Sequence, residues 1–154
     1  MSSIVDALYE LKYSPFEYGA YLASFYSKMD EVENNILLAP LVIPLCSHHF
    51  FGEKISRAKF GKKQQSSIWS VFKDRTLLYD LQERIDGFQT LTEQSIQYCL
   101  VNDCLSIDEK SLVLSSNDKL GAVLMNQKSA EKLGLLFNGH SVVEIYAFLG
   151  VKPQ

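Results

Sequence analysis

Short apolar stripes at helical spacing run along this chain, separated by helix-start and helix-stop signals and interrupted once by strict alternation near residue 110. Ile4, Val5, Leu8 and Leu11 form the first stripe, expected to dock on the body. Ser14-Pro15-Phe16-Glu17 reads as a capping box with proline in the first helical turn, which predicts a helix start. That helix should run to about Met29, with Tyr18, Tyr21, Leu22, Phe25 and Tyr26 on its apolar face, and Asp30-Glu31-Val32-Glu33-Asn34-Asn35 should form an acidic loop. Residues 36–46 are the most apolar run in the chain and contain Pro40 and Pro44. Pro40 suits a first turn, whereas Pro44 removes a backbone donor further in, so this run is predicted to be a buried, bent helix at the centre of the core.

After His48 the periodicity fails. Gly52, Gly61 and a cluster of lysines predict a mobile basic loop over residues 51–66. Helical spacing resumes over residues 67–72, and Leu77, Leu78, Leu81 and Ile85 predict one further helix with Asp80, Glu83 and Arg84 on its polar face. Thr90-Leu91-Thr92-Glu93 reads as another capping box, opening a helix that carries Ile96, Tyr98, Cys99, Leu100 and Val101 and ends near Asn102-Asp103. Leu105 and Ile107, then Leu112 and Leu114, alternate around the polar turn Asp108-Glu109-Lys110, which is a β-hairpin signal. In the last stretch Gly139 should close one short amphipathic helix, Ser141 with Glu144 should open a second, and Gly150 and Pro153 should end it.

The predicted fold class is mainly α with a small β-hairpin. It is a winged helix-turn-helix-like helical domain with additional N- and C-terminal helices. One domain is expected over residues 1–154, divided into N-terminal helices (1–50), a basic loop (51–66), helices plus a hairpin wing (67–115) and C-terminal helices (116–154). Helix, helix, hairpin is the winged-helix order, an outline shared by proteins that do and do not touch DNA.

Composition supports a single folded unit: 47% apolar and 21% charged residues are ordinary globular values and argue against disorder or a disulfide-stapled miniprotein. Cys46, Cys99 and Cys104 have no metal-type spacing and read as reduced core thiols. The amino terminus lacks secretory-signal character, and no apolar run approaches the roughly 20 residues that span a bilayer, so the cytoplasm is the expected compartment.

Charge is unevenly distributed. Residues 53–75 hold seven basic side chains against two acids, a balance of +5 in a chain of net −3, which leaves −8 on the rest. Such a segment can steer one face toward nucleic acid or an acidic protein surface, although a solvated lysine-rich loop has the same appearance. Lys54, Arg57, Lys59, Lys62, Lys63, Lys73 and Arg75 are therefore the candidate DNA- or partner-contacting residues.

Catalytic chemistry has no pattern to rest on. The glycines form no phosphate-binding loop, the serines no nucleophile elbow, and the carboxylates fall in apparent turns. His48 and His49 are adjacent, so on a helix they diverge by about 100° and do not share a metal. No catalytic residue, metal site or cofactor is expected, and the chain is read as a non-enzyme; a hydrolase or metal enzyme is the low-ranking contrast.

The order of these segments resembles the middle component of three-component ABC-type systems, the small subunit of Lamassu-like prokaryotic defence complexes. Tyr13-Ser14-Pro15-Phe16 resembles that family's Asn-Pro helix start, Leu38-Ala39-Pro40-Leu41-Val42-Ile43-Pro44-Leu45 its proline-containing apolar helix, and Ser66-Ser67-Ile68-Trp69 its Thr-Ser-Leu segment with a nearby tryptophan. Leu91-Thr92-Glu93 through Leu105-Ser106-Ile107-Asp108 is similar to its helix-plus-wing block. Leu133-Gly134, Phe137 and Ile145-Tyr146-Ala147-Phe148-Leu149-Gly150-Val151-Lys152-Pro153 resemble its carboxyl end. Two departures stand out: His48-His49-Phe50-Phe51-Gly52 replaces a His-Lys-Pro-Thr-Arg-like stretch, so no role of that arginine transfers, and Trp69 is offset from the family's tryptophan.

The resemblance implies a non-catalytic accessory subunit that bridges an SMC-like ABC ATPase and an effector, a nuclease in many such systems, in an antiphage or antiplasmid complex. It implies a hetero-oligomer; no membrane partner is expected, and contact with DNA, through Arg57, Lys59, Lys62 and Lys63, stays open only inside the assembled complex. The contrasting reading is a stand-alone winged-helix DNA-binding regulator that uses the basic segment and the wing. Its weakness is the acidic wing turn and a net negative domain.

Overall fold

The computed structural model describes residues 3–12, 14–117 and 126–153, with the side chains of residues 10–12 outside the description. Tyr13, the Leu11 side chain and residues 118–125 of the expected C-terminal segment lie outside the described residues. The fold is mainly helical with a two-stranded antiparallel hairpin: α1 (Ile4–Lys12), α2 (Pro15–Lys28), a 3₁₀ turn (Asn35–Leu38), α3 (Ala39–Cys46), α4 (His49–Ser56), α5 (Ile68–Val71), a second 3₁₀ turn (Arg75–Leu78), α6 (Leu81–Gly87), α7 (Gln89–Val101), β1 (Leu105–Asp108), β2 (Val113–Ser116), α8 (Lys128–Phe137) and α9 (Val142–Leu149).

Helix α2 organises the body. Its N-cap is Ser14, whose hydroxyl accepts the Phe16 N–H at 3.3 Å, and Pro15 occupies the first turn. The helix packs most extensively on α8 and α7. Phe25 is fully buried and meets the edge of Phe137 at 5.9 Å. A Cβ at Gly134 would lie 2.6 Å from the Phe25 carbonyl oxygen, so the closeness of α2 and α8 requires glycine there. Helix α3 is the central element the apolar run predicts: Leu41, Val42, Ile43 and Leu45 have no exposed surface. Burial of this kind is worth about 1.5–3 kcal/mol per large aliphatic side chain.

The hairpin follows the predicted alternation, with Leu105 opposite Ser116 and Ile107 opposite Leu114, and Leu105 and Leu114 buried. Leu112 is a correction. It lies outside β2 with φ +54°, half-exposed in a longer turn. The carboxyl end matches its signals closely. Gly139 (φ +85°) and Gly150 (φ +72°) hold the left-handed conformations that follow α8 and end α9, and the Ser141 hydroxyl accepts the Glu144 N–H at 3.1 Å.

Several other expectations need correction. The loop predicted over residues 51–66 begins only after Arg57, because α4 occupies residues 49–56. Gly52 misled the sequence reading: a Cβ there would come within 2.4 Å of the Cys46 carbonyl oxygen, so the residue is glycine for close packing of α4 beneath α3, not for looseness. The α3–α4 junction turns the chain by 105°. Thr90 does not open α7, which starts at Gln89 behind an N-cap without a side-chain bond. A reciprocal start signal that the sequence reading did not name is Ser67 with Ser70, at α5. The single helix expected from Leu77 to Ile85 is divided into a 3₁₀ turn and α6. Finally, α1 is not docked as expected: Ile4, Val5 and Leu8 are 81%, 73% and 60% exposed.

Candidate partner interfaces

His48 shows how local chemistry builds the surface near the basic segment. As N-cap of α4 its Nδ1 accepts the N–H groups of Phe50 at 3.1 Å and Phe51 at 3.2 Å, which requires a neutral ring protonated on Nε2. Partial burial holds its pKa below the ordinary value of 6.5, the Arg84 and His49 charges push the same way, and Asp80 opposes them. The folded value lies below the unfolded one, so the cap's stabilisation is complete above about pH 6.5 and is lost as pH falls through the folded pKa. The unfolding midpoint of the wild-type chain should therefore decline below about pH 6.5, ahead of the carboxylate titrations, and His48→Asn should flatten that decline because asparagine caps without titrating. An unchanged slope in the variant would assign the proton uptake elsewhere.

The three cysteines are buried and free. Burial pushes the thiols of Cys46 and Cys99 up to about 12, which makes them packing groups and not nucleophiles.

The sequence candidates do not form one patch. Arg57 pairs with Glu53 one turn earlier on the surface of α4. Lys54 lies near the Phe50 ring and close enough to Asp74 to help lower that carboxyl's pKa, after the larger effect of the Thr76 hydrogen bonds. Lys73 is exposed. Arg75, although exposed, folds back onto the tail: its Nη1 donates to the Phe148 carbonyl at 2.6 Å and its guanidinium lies 5.0 Å from the Phe148 ring centre. That carbonyl is in the last turn of α9, where it has no intrahelical partner and where a cation is favoured, so Arg75 clamps the tail. Lys59, Lys62 and Lys63 alone come together, on the loop over residues 59–66.

The Arg75 clamp borders a surface that sequence reasoning passed over. Trp69 is 60% exposed on α5 and stands edge-on to Phe148, 4.3 Å between ring centres. Ile68, Trp69, His140, Glu144, Ala147 and Phe148 line a cleft of about 460 Å³. Glu144 approaches His140 at 3.6 Å on its rim. Tryptophan beside arginine and phenylalanine around a concave apolar site is the composition of interface anchor points. The sequence signal was present in Ser67-Ile68-Trp69-Ser70, where a capped single turn forces Ile68 inward and leaves Trp69 outside. The apolar face of α1 is a second such surface. This helix has nine residues and its own start device, a reciprocal pair in which Asp6 N–H donates to the Ser3 hydroxyl and Ser3 N–H to the Asp6 carboxylate, each at 3.1 Å.

The hairpin is held close to the body. Asn35 is fully buried and bonds both backbone groups of Leu114, and Asn34 N–H donates to the Ser111 carbonyl at 2.9 Å. At its tip, hydrogen bonds from Ser111 and the Lys110 N–H lower the pKa of Asp108, so the turn carries negative charge.

Buried core, capped tail and separate exposed apolar surfaces define a small helical contact module. Over residues 2–153 the sequence matches the family described as ABC-three component (ABC-3C) system Middle Component 3, and the chain belongs to that family. It is thus the middle, accessory component of a three-component ABC system, with ABC subunits as partners. No curated protein and no solved structure matches the chain.

Proposed function

We propose that this chain is a non-catalytic cytoplasmic adaptor that joins an SMC-like ABC ATPase to an effector, of nuclease type, in an antiphage or antiplasmid complex. The Trp69–Phe148 cleft carries the reading: a tryptophan left in solvent, backed by a buried tail and flanked by Arg75, gives one partner an anchor site. The apolar face of α1 gives the other partner a second, separate site. A nine-residue helix is shorter than the roughly 12–15 residues needed for stability in water, so α1 gains from covering Ile4, Val5 and Leu8. An adaptor needs two such surfaces, and a stand-alone regulator needs neither.

Co-expression of the tagged chain with the ABC subunit and the third component encoded beside it tests this. A stoichiometric three-part complex is expected, and removing α1 should release one component while the other stays bound. A monodisperse free chain in the presence of both partners overturns the proposal.

A further inference from the structure

We infer that the loop over residues 59–66 contacts the phosphate backbone of double-stranded DNA when the chain sits in its complex, an inference that rests on the adaptor reading. The loop is built, not merely long. Ser66 N–H donates to the Lys59 carbonyl at 2.6 Å, Lys59 N–H to the Ser66 hydroxyl at 3.0 Å, and Gly61 N–H to the Gln64 carbonyl at 3.0 Å, so Phe60 and Gln65 pair as an antiparallel bridge. This bridge displays Lys59, Lys62 and Lys63 on one exposed turn. Behind it, Lys132 of α8 lies 5.3 Å from the Phe60 ring centre and donates to the Ala58 carbonyl at 2.8 Å, which anchors the turn and adds a fourth cation beneath it.

The segment itself carries no compensating acid. Residues 54–73 contain no Asp or Glu, and the preceding Glu53 is paired with Arg57. Lysine is depleted from protein interfaces, while mobile ammonium groups, amide side chains and backbone N–H groups are the usual partners of phosphate oxygens. The loop offers Lys, Gln, Ser and Gly at its surface and keeps its one aromatic, Phe60, half-buried. No ring is therefore fully displayed for base stacking, which favours duplex backbone over single strands and binding without sequence preference. The −8 carried by residues outside 53–75 explains why the contact belongs to the assembly: isolated, the acidic body opposes DNA, and held beside a DNA-binding partner the loop adds its cations to a larger positive track.

The test uses the complex of the full chain with its ABC subunit, a short duplex of mixed sequence as probe, and two variants, K59Q/K62Q/K63Q and K59E/K62E/K63E. Both should assemble as wild type does in light scattering. The glutamine variant should lower the steepness of log K against log salt by about 3, at roughly 0.9 per lost phosphate contact, and the glutamate variant should weaken binding at least about tenfold. Intact assembly with unchanged DNA affinity and salt slope overturns the inference. So does loss of the ABC subunit from the variants, which makes the loop a protein contact. If the wild-type chain itself does not assemble, the adaptor reading falls and this inference falls with it, a failure visible before any variant is made.

Discussion

Trp69→Ala is expected to weaken binding of the chain to its partner at the cleft by about 2–3 kcal/mol, roughly a 30- to 150-fold rise in Kd. Trp69 supplies the largest exposed apolar surface of the cleft and is held in place before binding by the edge contact with Phe148 at 4.3 Å. A pre-placed ring loses little side-chain entropy on association, so most of its buried area is converted into affinity. The same exposure makes the free chain tolerant of the change: more than half of the side chain already faces water, and truncation opens no core cavity. Unaltered thermal unfolding together with reduced partner binding is thus the expected pair of results, read by calorimetry or by titrated capture of the co-expressed partner. Trp69→Phe should recover part of the affinity. Binding of the alanine variant within about twofold of wild type would remove the cleft from the interface and, with it, the main support for the adaptor reading.

The difference between what the sequence revealed and what it concealed follows the range of the forces involved. Helix ends set by adjacent residues were readable. Ser14 with Pro15, Ser141 before α9, and the positive-φ glycines 139 and 150 all act within a few residues of themselves. So was α3, whose uniform apolarity has no stable place but the interior. Gly52 shows the limit. Glycine in a basic stretch looks like a breaker, and only the position of the Cys46 carbonyl reveals that it is a packing contact. Thr90 fails for a related reason. Its box has the right spacing, but Phe88 continues directly from α6, which ends at Gly87, and serves as N-cap two residues before Thr90. Periodicity found the apolar stripe of α1 but could not say what covers it; among the described residues Ile4, Val5 and Leu8 stay exposed. Of the candidate site, the charge asymmetry was legible and its division was not. Arg75 and the lysines of residues 59–66 are near in sequence, yet one closes a helix end 73 residues away and the others face solvent.

Asn35→Leu is expected to cost about 3 kcal/mol and to lower the unfolding midpoint by about 10 °C. The sequence places Asn35 at the end of an acidic loop, where it looks like a turn residue, but in the fold it has no exposed surface. Its Nδ2 donates to the Leu114 carbonyl at 2.9 Å and its Oδ1 accepts the Leu114 N–H at 2.6 Å, so one side chain completes the backbone pairing of β2 on the edge that β1 does not use. Its own carbonyl accepts the buried Tyr26 hydroxyl at 2.9 Å, tying the arrangement to α2. Leucine keeps the branched heavy-atom skeleton without polar atoms, but its methyls are bulkier than the amide atoms that lie 2.6 and 2.9 Å from the Leu114 backbone, so the cost combines lost hydrogen bonds with overpacking. Both Leu114 backbone groups are left buried and unpaired, at about 1–3 kcal/mol each before relaxation. Asn35→Asp discriminates further. A carboxylate can accept the Leu114 N–H but faces the Leu114 carbonyl as a second acceptor, so burial and that contact raise its folded pKa above the unfolded value of about 3.9. Its best stability then lies below that unfolded pKa, where a protonated carboxyl donates to the carbonyl, and is lost as pH rises through the folded pKa. Relative to wild type, the aspartate variant should therefore recover stability on acidification while the leucine variant does not. Urea unfolding of the three proteins at neutral and mildly acidic pH reads this directly, and a leucine variant within about 1 kcal/mol of wild type would show that the hairpin is held by apolar packing of Leu105 and Leu114 and not by the amide.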